Sequence, residues 1–216
     1  MQKNNFYYLL VALLVLLLAV PLADDFEAIA SPLVRGVIFS ALLLIGVWSL
    51  QGSSRYYSIG MTFVVAGIVF NIIAINLASP IWLFGSFLSL IAFLLVAITF
   101  ALRQVIFDTE FNANRLVGAI CIFLLIGVIW ALTYTVVDLL APGSFNGLAA
   151  SPQASWDSGW LYFSFVTLTT LGYGDISPAS ALAQALAYLQ AVVGQFYVAV
   201  LVAGLVSAFI SDRKGS

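Results

Sequence analysis

Between its charges and turn residues the chain runs apolar for six long stretches, near residues 6–23, 33–50, 58–78, 81–102, 116–140 and 180–210. A helix rises about 1.5 Å per residue and the hydrocarbon core of a bilayer is about 30 Å thick, so about 20 apolar residues cross it. The chain therefore reads as an all-α membrane protein with six transmembrane helices. Composition agrees: 63% of the 216 residues are apolar and 7% are charged, where a soluble domain carries about 25% charge. A net charge of −2 leaves no basic surface to neutralise a phosphate backbone, so nucleic acid is not the partner. Histidine is absent and Cys121 stands alone in an apolar run. That removes His-based catalysis, Cys and His zinc sites and any intrachain disulfide.

The loops sort the basic residues. Lys3, Arg55, Arg103, Arg115, Arg213 and Lys214 fall on one side if both termini share it, and Arg35 alone falls on the other. That bias places both termini in the cytoplasm of a multi-pass plasma or cell membrane protein. Asp24, Asp25, Glu27, Asp138, Asp157 and Asp175 then lie at or near the outer surface. The first run has a second reading as a secretory signal ending at Pro21-Leu22-Ala23, against which stand its length and Pro21. Residues 103–115 mix Val105, Ile106, Phe107 and Phe111 with charges, as either an interfacial linker helix or an ordinary connector would. The expected division is a four-helix scaffold over 1–102, that linker over 103–115, and a pore-forming part over 116–216.

Residues 158–179 break the pattern. Ser158 to Thr170 is apolar and aromatic enough to enter the membrane, yet as a helix it reaches only about 20 Å. It must turn back, and non-helical backbone at that depth survives only inside protein or along a wet cavity. The turn reads Thr167-Leu168-Thr169-Thr170-Leu171-Gly172-Tyr173-Gly174-Asp175. Successive carbonyls point toward one axis only if the backbone alternates between left- and right-handed dihedrals, and glycine enters the left-handed region without a steric cost. Gly172 and Gly174 stand at alternate positions. The carbonyls of Thr170, Leu171, Gly172 and Tyr173, with the Thr170 hydroxyl, then form oxygen rings if several copies of the loop meet on an axis. Such rings replace a hydration shell whose loss costs a small ion about 20 kcal/mol in the Born limit. The C-terminal end of the short helix, at Thr169 and Thr170, adds a partial negative charge that favours a cation.

These residues resemble the signature of potassium channels, in which Thr-Val-Gly-Tyr-Gly-Asp follows a short pore helix, and the likeness runs from Trp160 to Pro178. The layout, with a re-entrant pore helix and filter loop between the fifth and sixth spans, is similar to the voltage-gated-like potassium channel superfamily. The resemblance implies a homotetramer in a lipid bilayer, potassium as the permeant ion and no cofactor. It also implies a selectivity filter of Thr170, Leu171, Gly172, Tyr173 and Gly174. Its support would come from Thr169, Tyr162, Phe163 and Asp175, with Asp175 bracing from behind and the Tyr173 ring turned outward against the pore helices. Leu171 stands where Val is commoner, and Tyr162 and Phe163 stand where many relatives carry paired Trp. A hydrogen bond from the Tyr162 phenol to Asp175 is the expected replacement.

Gly194 sits where the superfamily's inner helix carries a flexible glycine, so a hinge is expected there. Close approach of a neighbouring helix is the plainer reading, and Gly204 is a second candidate bend. Phe209 and Ile210 lie where the sixth helix leaves the bilayer and suit an apolar inner gate. Gln190 and Gln195 either face the cavity or bond between helices, the second being the plainer reading, and Asn71 and Asn76 are expected to bond between helices. Ile81 to Leu102 holds no basic residue, and Arg103 comes only at its end. The superfamily's voltage sensors repeat Arg or Lys every third residue there. One charge crossing the whole field in each of four subunits is worth about 9 kcal/mol per 100 mV, and Arg103 would sample a fraction of it, so steep voltage gating is not expected. The six residues after Ile210 are too few for the ligand-binding domains many relatives attach there.

Two other classes share single features with this sequence. Gly172-Tyr173-Gly174-Asp175 fits the Gly-x-Gly-Asp pattern of intramembrane aspartyl proteases, but a second inward carboxylate is missing and Asp138 is a poor substitute. A secondary transporter usually has two related halves, and residues 1–110 hold no counterpart of the loop.

Overall fold

The computed structural model describes residues 5–25, 54–77, 79–107, 113–148 and 158–215. Its helices are α1 (Asn5–Asp25), α2 (Ser54–Leu77), α3 (Pro80–Phe107), α4 (Ala113–Leu140), the short α5 (Ser158–Leu168) and α6 (Ala181–Gly215). Two short strands, β1 (Phe145–Asn146) and β2 (Ser177–Pro178), pair antiparallel. The run expected at 33–50 lies outside the described residues. Among the described residues, four helices hold stretches long and apolar enough to cross a membrane: Arg55–Ala74, Ile81–Ile106, Asn114–Leu140 and Ala181–Leu201. In α1 the apolar stretch Phe6–Leu22 is shorter, at the low end of what spans a bilayer.

The segment expected to form a linker helix is divided. Arg103 to Phe107 continue α3 and Ala113 to Arg115 open α4, while 108–112 lie outside the described residues. Val105 continues the face of Ala97 and Ala101 that α3 buries, whereas Ile106 is exposed.

Packing follows chain order. Helix α2 lies against α3, α3 against α4, and α1 also against α4, with α5 held between α4 and α6. The buried residues include Phe93 of α3, Ile122, Leu132 and Tyr134 of α4, and Leu168 of α5. Small residues let these helices approach. Gly118 of α4 receives the Phe6 ring of α1 and Val105 of α3, and Gly127 of α4 receives the tip of Phe165 from α5. Cys121 is buried and its thiol donates to the Phe6 carbonyl at 3.4 Å.

These contacts also set the polarity of the bundle. Phe6 and Gly118 lie near the N-terminal ends of α1 and α4, and Val105 near the C-terminal end of α3. At the same end the Arg103 guanidinium lies 5.7 Å from the centre of the Tyr56 ring, at the start of α2. The Tyr197 hydroxyl of α6 donates to the Ala119 carbonyl at 2.6 Å. The starts of α1, α2 and α4, the end of α3 and the later part of α6 thus share one end, where Arg55, Arg103 and Arg115 gather.

Several hydroxyls on the helices are satisfied locally. Thr62, Ser89, Thr99, Thr133 and Thr135 each donate to the carbonyl four residues back. Asn76 does the same, donating to Ile72 at 2.8 Å, and Asn71 is exposed on α2. Neither bonds to another helix among the described residues, which leave out the expected run at 33–50. A side-chain amide one turn from its own carbonyl needs no partner helix.

The seat of Phe165 in Gly127 is tight enough that a methyl group would overlap the ring. Gly127→Ala is expected to lower the thermal midpoint of the detergent-solubilised protein, by an overpacking cost of about 1–3 kcal/mol. Adding Phe165→Leu should recover part of the loss, and additive losses in the double variant would contradict this account.

Candidate functional site

The site begins where α5 stops. The Thr170 amide donates to the Thr167 carbonyl at 3.0 Å and the Leu171 amide reaches back to Val166 at 2.9 Å. This pair of bonds is a Schellman cap with Thr170 at the left-handed position. Thr170 has φ +58°, although it is β-branched and glycine is the usual occupant. Gly172 at φ +60° and Gly174 at φ +83° continue the pattern. Left-handed residues therefore occupy alternate positions 170, 172 and 174, the alternation needed to turn successive carbonyls the same way. Added Cβ atoms at Gly172 and Gly174 would meet nothing within 4 Å, so backbone conformation, not crowding, is what calls for glycine there. The third left-handed position, Thr170, was not foreseen, because nothing in a threonine announces a positive φ.

Behind the loop the Tyr162 phenol donates to Asp175 Oδ2 at 2.6 Å, while Asp175 Oδ1 accepts the Ile176 amide at 3.0 Å. The Tyr162 hydroxyl holds the Asp175 carboxyl below the usual carboxylate range. The Tyr173 ring stacks on Tyr162 with centroids 6.5 Å apart and planes within 6°. Phe163 is buried, 4.9 Å from the Tyr134 ring and 5.5 Å from Phe145. The Thr169 hydroxyl turns back to the Phe165 carbonyl at 2.7 Å. No second carboxylate meets Asp175 among the described residues; its partners are Tyr162 and Ile176.

Beyond the loop a clamp appears that sequence reasoning missed. Phe145 pairs with Pro178 and Asn146 with Ser177. The Ser144 carbonyl accepts the Ala179 amide at 2.8 Å. Gly147, at φ +89°, presses so closely on the Asp175 carbonyl that a Cβ would overlap it. The residues after α4 thereby pin the exit of the loop. Gly147 within Phe-Asn-Gly was the only local signal, and a two-residue ladder has no periodicity to detect.

On the other side of the loop, α6 supplies three contacts. Gln190 is fully buried: its Oε1 accepts the Tyr134 hydroxyl at 2.5 Å and its Nε2 donates to the Ser164 carbonyl at 2.9 Å and to Ser164 Oγ at 2.8 Å. Ser164 Oγ in turn donates to the Gly127 carbonyl at 2.6 Å. Gln195 Nε2 donates to Thr170 Oγ1 at 3.1 Å. Gln190 therefore bonds between helices, as expected, whereas Gln195 reaches the loop and not a neighbouring helix. Gly194 lies against the Leu168 carbonyl, where a Cβ would overlap the oxygen. The close approach is the plainer of the two expected roles for that glycine, and α6 runs as one helix across it. The side chains of Phe209 and Ile210 lie outside the described residues.

Comparison with known proteins points the same way. A family model described as an ion channel matches residues 122–211, less than half of the chain. The two pore potassium channel c of Oryza sativa subsp. japonica is 39% identical over 66 residues, 31% of this chain and 14% of that protein. The chain thus spans a small part of that relative's length. No solved structure matches at a significant level.

Breaking the buried network strands polar groups in a dry interior. Gln190→Leu should lower the thermal midpoint by an amount equivalent to about 1–3 kcal/mol, and Tyr134→Phe added to it should cost little more; fully additive losses would refute the network. A second prediction concerns pH. A depressed carboxyl pKa stabilises above the ordinary value and loses its effect as pH falls through the lowered one. Wild type should therefore exceed Asp175→Asn in thermal midpoint by a constant margin from pH 8 down to about 4, and the margin should shrink only below that.

From the middle of α4 through the loop to the end of α6, the chain is similar to an ion-channel family, and the likeness is to a channel rather than to an enzyme.

Proposed function

We propose that this chain is a potassium-selective channel in which four copies set residues 170–174 around one axis and pass the ion down its gradient. The observation that carries the reading is the left-handed backbone at Thr170, Gly172 and Gly174. A loop bears conformational strain of about 1–3 kcal/mol at a β-branched residue only where the surroundings enforce it. Here the product of that strain is a row of backbone oxygens from Thr170, Leu171, Gly172 and Tyr173, with the Thr170 hydroxyl below. Uncharged carbonyl dipoles suit a weakly hydrated monovalent cation, which must bind well enough to enter and loosely enough to leave. The relative named a potassium channel supports the choice of ion.

One loop makes one quarter of each ring, so the assembly supplies the rest. Leu171 and Tyr173 are exposed in the single chain, as are Tyr188, Leu189, Val192 and Phe196 on α6. Neighbouring copies cover the loop and the part of α6 beside it, and lipid covers the outer helices. In this reading α5 is the re-entrant pore helix between the fifth and sixth of six spans, and both termini are cytoplasmic. Residues 116–216 form the pore, 103–115 link it to the preceding helices, and 1–102 act as a scaffold. Arg103, engaged by Tyr56 at the end of α3, senses little of the field, so opening depends weakly on voltage.

Planar-bilayer recording of the purified protein tests the proposal. Wild type should reverse near the potassium equilibrium potential when sodium replaces potassium on one side, with open probability nearly flat from about −100 to +100 mV. Gly174→Ala, which places a Cβ at a positive φ, should abolish the potassium preference without preventing assembly. Coupled movement of a second solute would favour a transporter instead, and a steep conductance curve would remove the voltage argument.

A further inference from the structure

From α6 the Gln195 side chain reaches the strained first residue of the loop, its Nε2 donating to Thr170 Oγ1 at 3.1 Å. Resting on the channel reading above, we propose that Gln195 is a positioning residue for the innermost ion site, which it tunes by donating a hydrogen bond to the hydroxyl that would face the ion there.

The chemistry of the two groups supports this. A threonine hydroxyl has one proton and two lone pairs, and an amide NH2 can only donate. When Gln195 Nε2 donates to Thr170 Oγ1, one lone pair is engaged, leaving one for a cation. The amide proton also sets a partial positive charge beside the site and competes with the ion for the oxygen. Thr170 cannot relax freely, because its backbone is held at φ +58° by the cap on α5. The position of the donor is set just as firmly. One residue earlier Gly194 rests on the Leu168 carbonyl, and one turn earlier Gln190 is bonded into α4 and α5. Gln190, Gly194 and Gln195 thus seat one stretch of α6 along the last turn of α5 and the first loop residue. A displacement of α6 that lengthens the Gln195 bond would change ion affinity at the Thr170 ring before it changes anything else in the loop. This makes α6 a regulator of ion occupancy through a bond, without a bend at Gly194.

The test is inhibition by barium, a divalent ion close to potassium in radius, added from the Thr170 side of the full-length protein in liposomes. Potassium flux is the readout. Gln195→Leu, which keeps the bulk and removes the donor, should tighten barium inhibition about fivefold, the equivalent of one lost hydrogen bond. The same substitution made with Thr170→Val should shift inhibition less than about twofold relative to Thr170→Val alone, while with Thr170→Ser, which keeps the hydroxyl, the shift should return. An unchanged or weakened inhibition in Gln195→Leu overturns the proposal, as does a shift that persists with Thr170→Val. If Gln195→Leu fails to assemble, Gln195→Met offers the same length without a donor and is read the same way. A wild-type protein with no potassium-selective flux would sink the channel reading itself, whereas selective flux without this coupling would sink the Gln195 role alone.

Discussion

Everything around the loop serves one conformational constraint: three alternate residues, Thr170, Gly172 and Gly174, must stay left-handed in a segment that makes no regular secondary structure. Such a backbone has no ladder to hold it. Its stability therefore comes from outside the segment. The strain at Thr170 is the clearest sign, since a threonine at φ +58° reverts to an ordinary conformation unless the two bonds of the α5 cap oppose it.

The supports differ in chemistry according to where they act. Toward the loop's exit the contacts are backbone to backbone, through the β1–β2 pairing and the approach of Gly147 to Asp175. Behind the loop they are aromatic and charge-assisted, with Tyr162 joining Asp175 while stacking on Tyr173. On the α6 side they are amide hydrogen bonds in a sealed interior, where Gln190 and Ser164 are fully buried and each has its partners. A fully satisfied network in low dielectric resists displacement, because any lost bond leaves a stranded group. Strain in one short segment is offset by three independent kinds of contact, and the helices that make them are the ones held by the Gly118 and Gly127 seats.

Much of this was legible from residues alone because it depends on short-range rules. Helix lengths follow from apolar runs, and the helices at five of the six expected runs needed nothing else. The glycine pair predicts alternate dihedrals through sterics, and Tyr162 in place of an aromatic without a hydroxyl predicts a bond to Asp175. The unforeseen parts all depend on tertiary juxtaposition. A positive φ at Thr170 follows from a helix cap, the Gly147 contact from a chain reversal across more than twenty residues, and the Tyr134–Gln190–Ser164 network from three helices meeting. Gly194 shows the same limit from the other direction: flexibility and close approach look identical in sequence, and the close approach to the Leu168 carbonyl appears only in the fold. Asn76 shows that a side-chain amide can donate one turn back, to Ile72, as readily as it can bridge helices.

The central claim is that backbone oxygens from neighbouring copies take the place of water around a desolvated cation. The most direct measurement is a density map of the protein in lipid nanodiscs with potassium, repeated with thallium as a stronger scatterer. The account predicts four copies about one axis, with on-axis density between the carbonyl rings of Thr170 to Tyr173 that intensifies with thallium. A monomer or dimer, or a loop turned toward lipid with no axial density, would contradict it.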